Sequence, residues 1–148
     1  MDDRDRQRAQ QLASRIRALA IRDEYRNLLE IDAQPDTARL LDALGTDLAA
    51  AARVHLDAAR RWRARMEETN RRRLTEARDA LNGLDLTLTR ALLSRIEEDW
   101  LTDDDAAVRD EILLQMEART METEDLTALA AEAFEEHKPR GRRWRRKR

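Results

Sequence analysis

The chain has 148 residues, of which 41% are charged, 41% hydrophobic and only 3% aromatic, with three Gly, two Pro, no Cys and a formal charge of −2. An average soluble domain holds about 25% charge and roughly 7% Gly, so a chain this poor in turn formers is excluded from sandwiches and barrels and is predicted to be all-α. Without Cys there is no disulfide, thiolate metal site or cysteine nucleophile; no stretch approaches the roughly 18 apolar residues of a membrane span, and the charged start lacks an apolar leader segment, so a cytoplasmic protein is expected.

The first helical pattern covers about Asp3 to Glu30. Leu12, Ile16 and Leu19 make one stripe, and Tyr25, Leu28 and Leu29 resume it slightly rotated. Gln34-Pro35-Asp36 breaks the pattern, and Asp36 is a suitable N-cap for a second helix. That helix is predicted to run from about 37 to Asn82 on the stripe Leu41, Leu44, Leu48, Ala52, Ala59, Trp62, Met66, Leu74, Ala77, Leu81. The polar gap Glu67–Arg73 is read as helical because Glu67 to Arg71 and Glu68 to Arg72 then form i,i+4 pairs in the favoured order. Gly83 is expected as the left-handed residue beyond its end. Such a helix would span roughly 70 Å, longer than a globule of this mass, so it is expected to meet another subunit or to self-associate.

Three shorter helices are expected next. Leu88, Leu92, Leu93, Ile96 and Trp100 define the first, capped by Asp85 or Thr87; Thr102 with Asp103–Asp105 opens the second, on Val108, Ile112, Leu113 and Met116. Thr123 is expected to cap the third, on Leu126, Leu129, Ala130, Ala133 and Phe134. Together these elements predict about five helices in an elongated antiparallel bundle over residues 1–137, followed by a tail over 138–148.

Catalytic signals are scarce. His55 and His137 stand far apart and outside any metal-spaced array, and His55 falls beside the apolar stripe as an edge-of-core residue. Asp103, Asp104 and Asp105 point about 100° apart on a helix, so they cannot chelate one ion together and instead complement the helix dipole. There is no phosphate loop, nucleophile elbow or Glu-x-x-His pair. No enzyme, metal or cofactor is expected.

Charge distribution is the stronger signal. Lysine stands only at Lys138 and Lys147, which leaves 27 arginines among the 29 basic residues. The tail Lys138-Pro-Arg-Gly-Arg-Arg-Trp-Arg-Arg-Lys-Arg148 carries eight positive charges and no acid, so the remainder carries a net −10. Arg140, Arg142, Arg143, Arg145, Arg146, Lys147 and Arg148 suit phosphates, and Trp144 suits an unpaired base. A second basic run, Arg60–Arg65, interleaves Arg with Trp mid-helix. Arg53, Arg60, Arg71 and Arg78 fall within about 20° on a helical wheel, either to track a nucleic-acid backbone or as a salt-bridged solvated face. Arg63 and Arg73 point toward the apolar side, where charge needs a partner; with Trp62, Met66 and Leu74 they form a candidate protein interface.

The expected function is a non-enzymatic subunit that binds RNA or single-stranded DNA in a larger assembly. In size, helical class and basic surface the chain resembles the small all-helical subunits of multisubunit CRISPR effector complexes, which implies contact with the nucleic-acid strands of an RNA-guided filament. The alternative is an oligomeric coiled-coil scaffold or adaptor, as in phage assembly, whose basic tail grips an acidic protein. No membrane partner is expected.

Overall fold

Periodic apolar residues and the near absence of Gly and Pro give a chain whose backbone polar groups are satisfied within helices. The computed structural model describes residues 2–137, so every expectation for the tail 138–148 lies outside the described residues. Among the described residues there are six α-helices and no strand: α1 Asp3–Ile21, α2 Tyr25–Asp32, α3 Thr37–Asp42, α4 Thr46–Asn82, α5 Leu86–Ser94 and α6 Asp103–Glu136, with a 3-10 turn at Glu98–Trp100 before α6. The protein is an all-α helical bundle. None of these helices is long and apolar enough to cross a membrane.

The helices form two compact units. The first comprises residues 1–72 and 97–102. Its core is Ile16 from α1, Leu28 and Ile31 from α2, Leu41 from α3, and Ala52, Leu56 and Ala59 from α4, flanked by Leu12, Leu19, Tyr25, Leu29 and Leu44. Thr37 is buried and donates to the Ile31 carbonyl, tying α3 to the end of α2. The second comprises residues 73–96 and those from 103 onward. Leu74, Ala77 and Leu81 of α4, Leu92 of α5, and Ile112 and Met116 of α6 are its buried apolar residues.

Four boundaries differ from the sequence expectation, each for a local reason. The pattern predicted as one helix to Glu30 breaks after Ile21, where Asp23 adopts φ 54°. Its N–H reaches the Ala20 carbonyl and that of Glu24 the Leu19 carbonyl, a Schellman end; the rotation of the apolar stripe was its trace. The helix predicted from 37 is two helices parted at Ala43–Gly45. A mid-helix Gly costs about 1 kcal/mol against Ala, and Leu41 and Leu44 keep the stripe's period because they pack into the same core as Ala52 and Leu56. α4 therefore measures roughly 55 Å, not 70.

At the far end of α4 the left-handed residue is Leu84, φ 62°, and not Gly83. The Leu84 N–H bonds the Leu81 carbonyl and the Asp85 N–H that of Ala80, again a Schellman pair. The two helices predicted from Thr102 and Thr123 are one, α6. Thr123 caps nothing; its hydroxyl donates back to the Arg119 carbonyl, as Thr120 does to Met116 and Thr127 to Thr123. Trp100, expected on the helix of Leu88 and Leu92, lies in the 3-10 turn of the first unit, since α5 ends at Ser94. Asp85 does cap α5, accepting from the Leu88 N–H at 2.9 Å.

The polar gap of α4 is helical, and its centre is fully buried: Asn70 is 0% exposed. Its amide donates to the Glu97 carbonyl at 2.9 Å and accepts from the Glu97 N–H at 3.0 Å. One side chain thus satisfies both polar groups of a backbone residue and holds the 97–102 segment on the helix.

Candidate nucleic-acid interface

α4 is the element that displays arginines, and packing within each unit determines which are available. Arg53 pairs with Asp42, the last residue of α3, and Arg60 reaches Asp32 at the end of α2 with its Nε at 2.7 Å and Asp57 at 2.8 Å. The hydrogen bond to Asp32, opposed by slight burial and aided by the charges of Asp32 and Asp57, raises the Arg60 pKa above its ordinary value. Arg71 pairs with Glu68 at 3.1 Å. In the second unit Arg78 pairs with Glu111 of α6 at 3.1 Å. All four arginines predicted to share a face are therefore held by carboxylates.

A different row is uncommitted. Among the described residues, the guanidinium groups of Arg61, Arg65 and Arg72 make no hydrogen bond or ion pair, and all three are exposed. They fall within about 40° on the helical wheel, at axial steps of about 6 and 10 Å. Arg65 and Arg72 line a shallow depression of about 350 Å³ with Ala64, Glu68 and Thr69. The sequence signal for this row was present in the Arg60–Arg65 run, but only the paired row stood out on the wheel. An unpaired guanidinium presents its donors to solvent in a planar fork that matches phosphate geometry, with no carboxylate to displace.

The proposed interface residues have partners inside their own units. Trp62 is half-buried, stacked on Tyr25 at 5.4 Å between ring centres and met edge-on by Trp100 at 4.8 Å. Arg26 lies over the Trp100 ring at 5.2 Å and pairs with Asp99 at 2.6 Å. Met66 is half-buried and Leu74 buried. Arg63 is exposed and pairs with Glu67 along the helix at 3.1 Å, while Arg73 donates to the Arg95 carbonyl, one of the acceptors left open after the end of α5.

His55 is half-buried at the edge of a groove of about 480 Å³ between α1 and α4, beside Arg17, Leu48 and Ala52. The His137 ring meets the Ala133 carbonyl at 2.8 Å. Among the described residues, no three of His, Asp and Glu converge as metal ligands would. Arg140, Arg142, Arg143, Trp144, Arg145, Arg146, Lys147 and Arg148 lie outside the described residues. No protein-family model, no curated protein and no solved structure matches the chain.

Proposed function

We propose that this chain is a non-enzymatic, nucleic-acid-binding helical subunit of a larger ribonucleoprotein-type assembly. The tail from Lys138 to Arg148 supplies the main grip on RNA or single-stranded DNA, and Arg61, Arg65 and Arg72 supply a second contact. One observation carries the reading: eight positive charges and no acid are segregated into eleven residues, against a net −10 elsewhere. Such a segment gains affinity by releasing counterions from phosphates, a gain independent of sequence and steeply dependent on salt. Trp144, set among those charges, adds a stacking surface that accepts any base.

The test is anisotropy titration of a labelled single-stranded RNA or DNA of about 20 nucleotides with the full chain and with a chain ending at His137. Six to eight engaged charges predict a slope of log affinity against log salt of roughly −4 to −6 for the full chain, and a loss of about 100-fold or more at low salt on truncation. Equal affinities for the two chains overturn the reading.

A further inference from the structure

α6 changes character along its length. Over Asp103–Thr120 its Ile112 and Met116 are buried in the second unit, and Arg119 donates to the Leu81 carbonyl at 2.8 Å, one residue short of the end of α4. Beyond Arg119 the helix continues for about 25 Å, and every residue from Met121 to His137 is exposed. The same face continues. At 100° per residue, Ala130 and Phe134 fall on the arc that Ile112, Met116 and Arg119 occupy, Leu126 and Ala133 lie about 20° and 40° beyond it, and Leu129 lies about 80° away. Leu126 is 68% exposed, Leu129 61% and Phe134 69%. An apolar face that is core in one half of a helix is therefore uncovered in the other.

We infer that this face is a docking surface for a second copy of the chain, paired antiparallel. Two observations select that occupant. The stripe is close to self-complementary: Leu126, Ala130 and Phe134 are spaced by four, so a two-fold axis at Ala130 sets Leu126 against the partner's Phe134, with the small Ala130 permitting close approach. The chain's own tail cannot cover such a stripe, because Trp144 is its only large apolar side chain.

Charge then sets the direction. Residues 121–136 hold Glu122, Glu124, Asp125, Glu132, Glu135 and Glu136 and no basic residue, and they lead directly into the +8 tail. Parallel pairing would set the two basic tails side by side. Antiparallel pairing brings each tail out beside Glu122, Glu124 and Asp125 of the other copy. A single pair of helices this short buries less than the roughly 800 Å² per partner of a standard interface, so the tails contribute to the association and salt weakens it.

The experiment is sedimentation equilibrium of the full chain, freed of nucleic acid by nuclease and a high-salt wash, so its outcome is independent of nucleic-acid binding. A dimer is expected at tens of micromolar in 50 mM salt, with dissociation strengthened about tenfold or more at 500 mM. Leu126→Glu with Phe134→Glu is expected to give monomer at unchanged helicity by circular dichroism, since both side chains are already exposed. Orientation is read from cysteines, which the natural chain lacks. Under mild oxidation Thr123→Cys is expected to cross-link to His137→Cys in a mixture and not to itself. A monomer at 100 µM in low salt, a dimer indifferent to the double variant, or self-cross-linking of Thr123→Cys overturns the inference.

Discussion

Two rows of arginine run along the first-unit stretch of α4 and differ in what faces them. Arg53 and Arg60 look onto Asp42 and Asp32, which α3 and α2 bring to the helix, and Arg71 meets Glu68 on α4 itself. Arg61, Arg65 and Arg72 have no carboxylate partner among the described residues. Both rows have the same residue type, helix and regular spacing. Availability for a ligand is thus largely a tertiary property: short helices docked on α4 neutralise Arg53 and Arg60, while a row about 110° around the helix keeps its charge.

The largest effect expected from this comparison is on nucleic-acid affinity. Replacing Arg61, Arg65 and Arg72 together by Gln should weaken binding of single-stranded RNA or DNA about tenfold and flatten the salt slope by about 2, at roughly 0.7 for each phosphate that is no longer neutralised. The matched triple replacement of Arg53, Arg60 and Arg71 should leave both quantities within twofold, because those groups would first have to leave a carboxylate. Equal losses from the two triples in the anisotropy titration would erase the distinction between the rows.

Much of the architecture was legible before the structure. Low Gly and Pro content gave the helical class, and the i,i+4 charge order carried α4 through its polar gap. What sequence could not supply was the set of neighbours. The apolar period reads straight across Gly45 because Leu41 and Leu44 before the break and Ala52 and Leu56 after it enter one core, although Leu48, expected on the same stripe, is 56% exposed. Asn70 looked like one more polar residue of the gap, yet it is buried, since its partner is the backbone of Glu97, 27 positions away. α4 ends at Asn82 as expected, but the hydrogen bonds to Leu81 and Ala80 make Leu84 the left-handed residue of its end, one position beyond Gly83. For the arginine rows the wheel showed which arginines share a face and left a salt-bridged face open; Glu68 was legible as a neighbour on the same helix, while Asp32, Asp42 and Glu111 came from other helices.

The next effect is on stability. Arg60 grips Asp32 through two nitrogens, and the Asp32 side chain is only 19% exposed. A double-mutant cycle of Arg60→Gln and Asp32→Asn, followed by urea unfolding, should return a coupling of about 1 kcal/mol, the upper end for exposed pairs because of the two-point geometry. Nucleic-acid affinity should be unchanged in Arg60→Gln and in the double variant, and should hold or rise slightly in Asp32→Asn, which leaves Arg60 with Asp57 alone. A coupling near zero would mean that the paired row is held by nothing stronger than solvent and is as free to bind phosphate as the other.

The smallest effect belongs to Arg53 and Asp42, whose side chains are 51% and 69% exposed. Here the charges lie in high dielectric, and ordering two side chains offsets most of their attraction. Arg53→Gln should change unfolding free energy by less than about 0.5 kcal/mol, and raising salt from 50 to 500 mM should remove even that. The informative readout is binding. A bridge this exposed opens more readily than that of Arg60, so of these two Arg53 is the better placed to be drawn onto a phosphate, within the twofold change expected of the triple replacement. If Arg53→Gln lowers affinity while Arg60→Gln does not, the boundary between committed and available arginines follows the strength of the bridge and not the mere presence of a carboxylate.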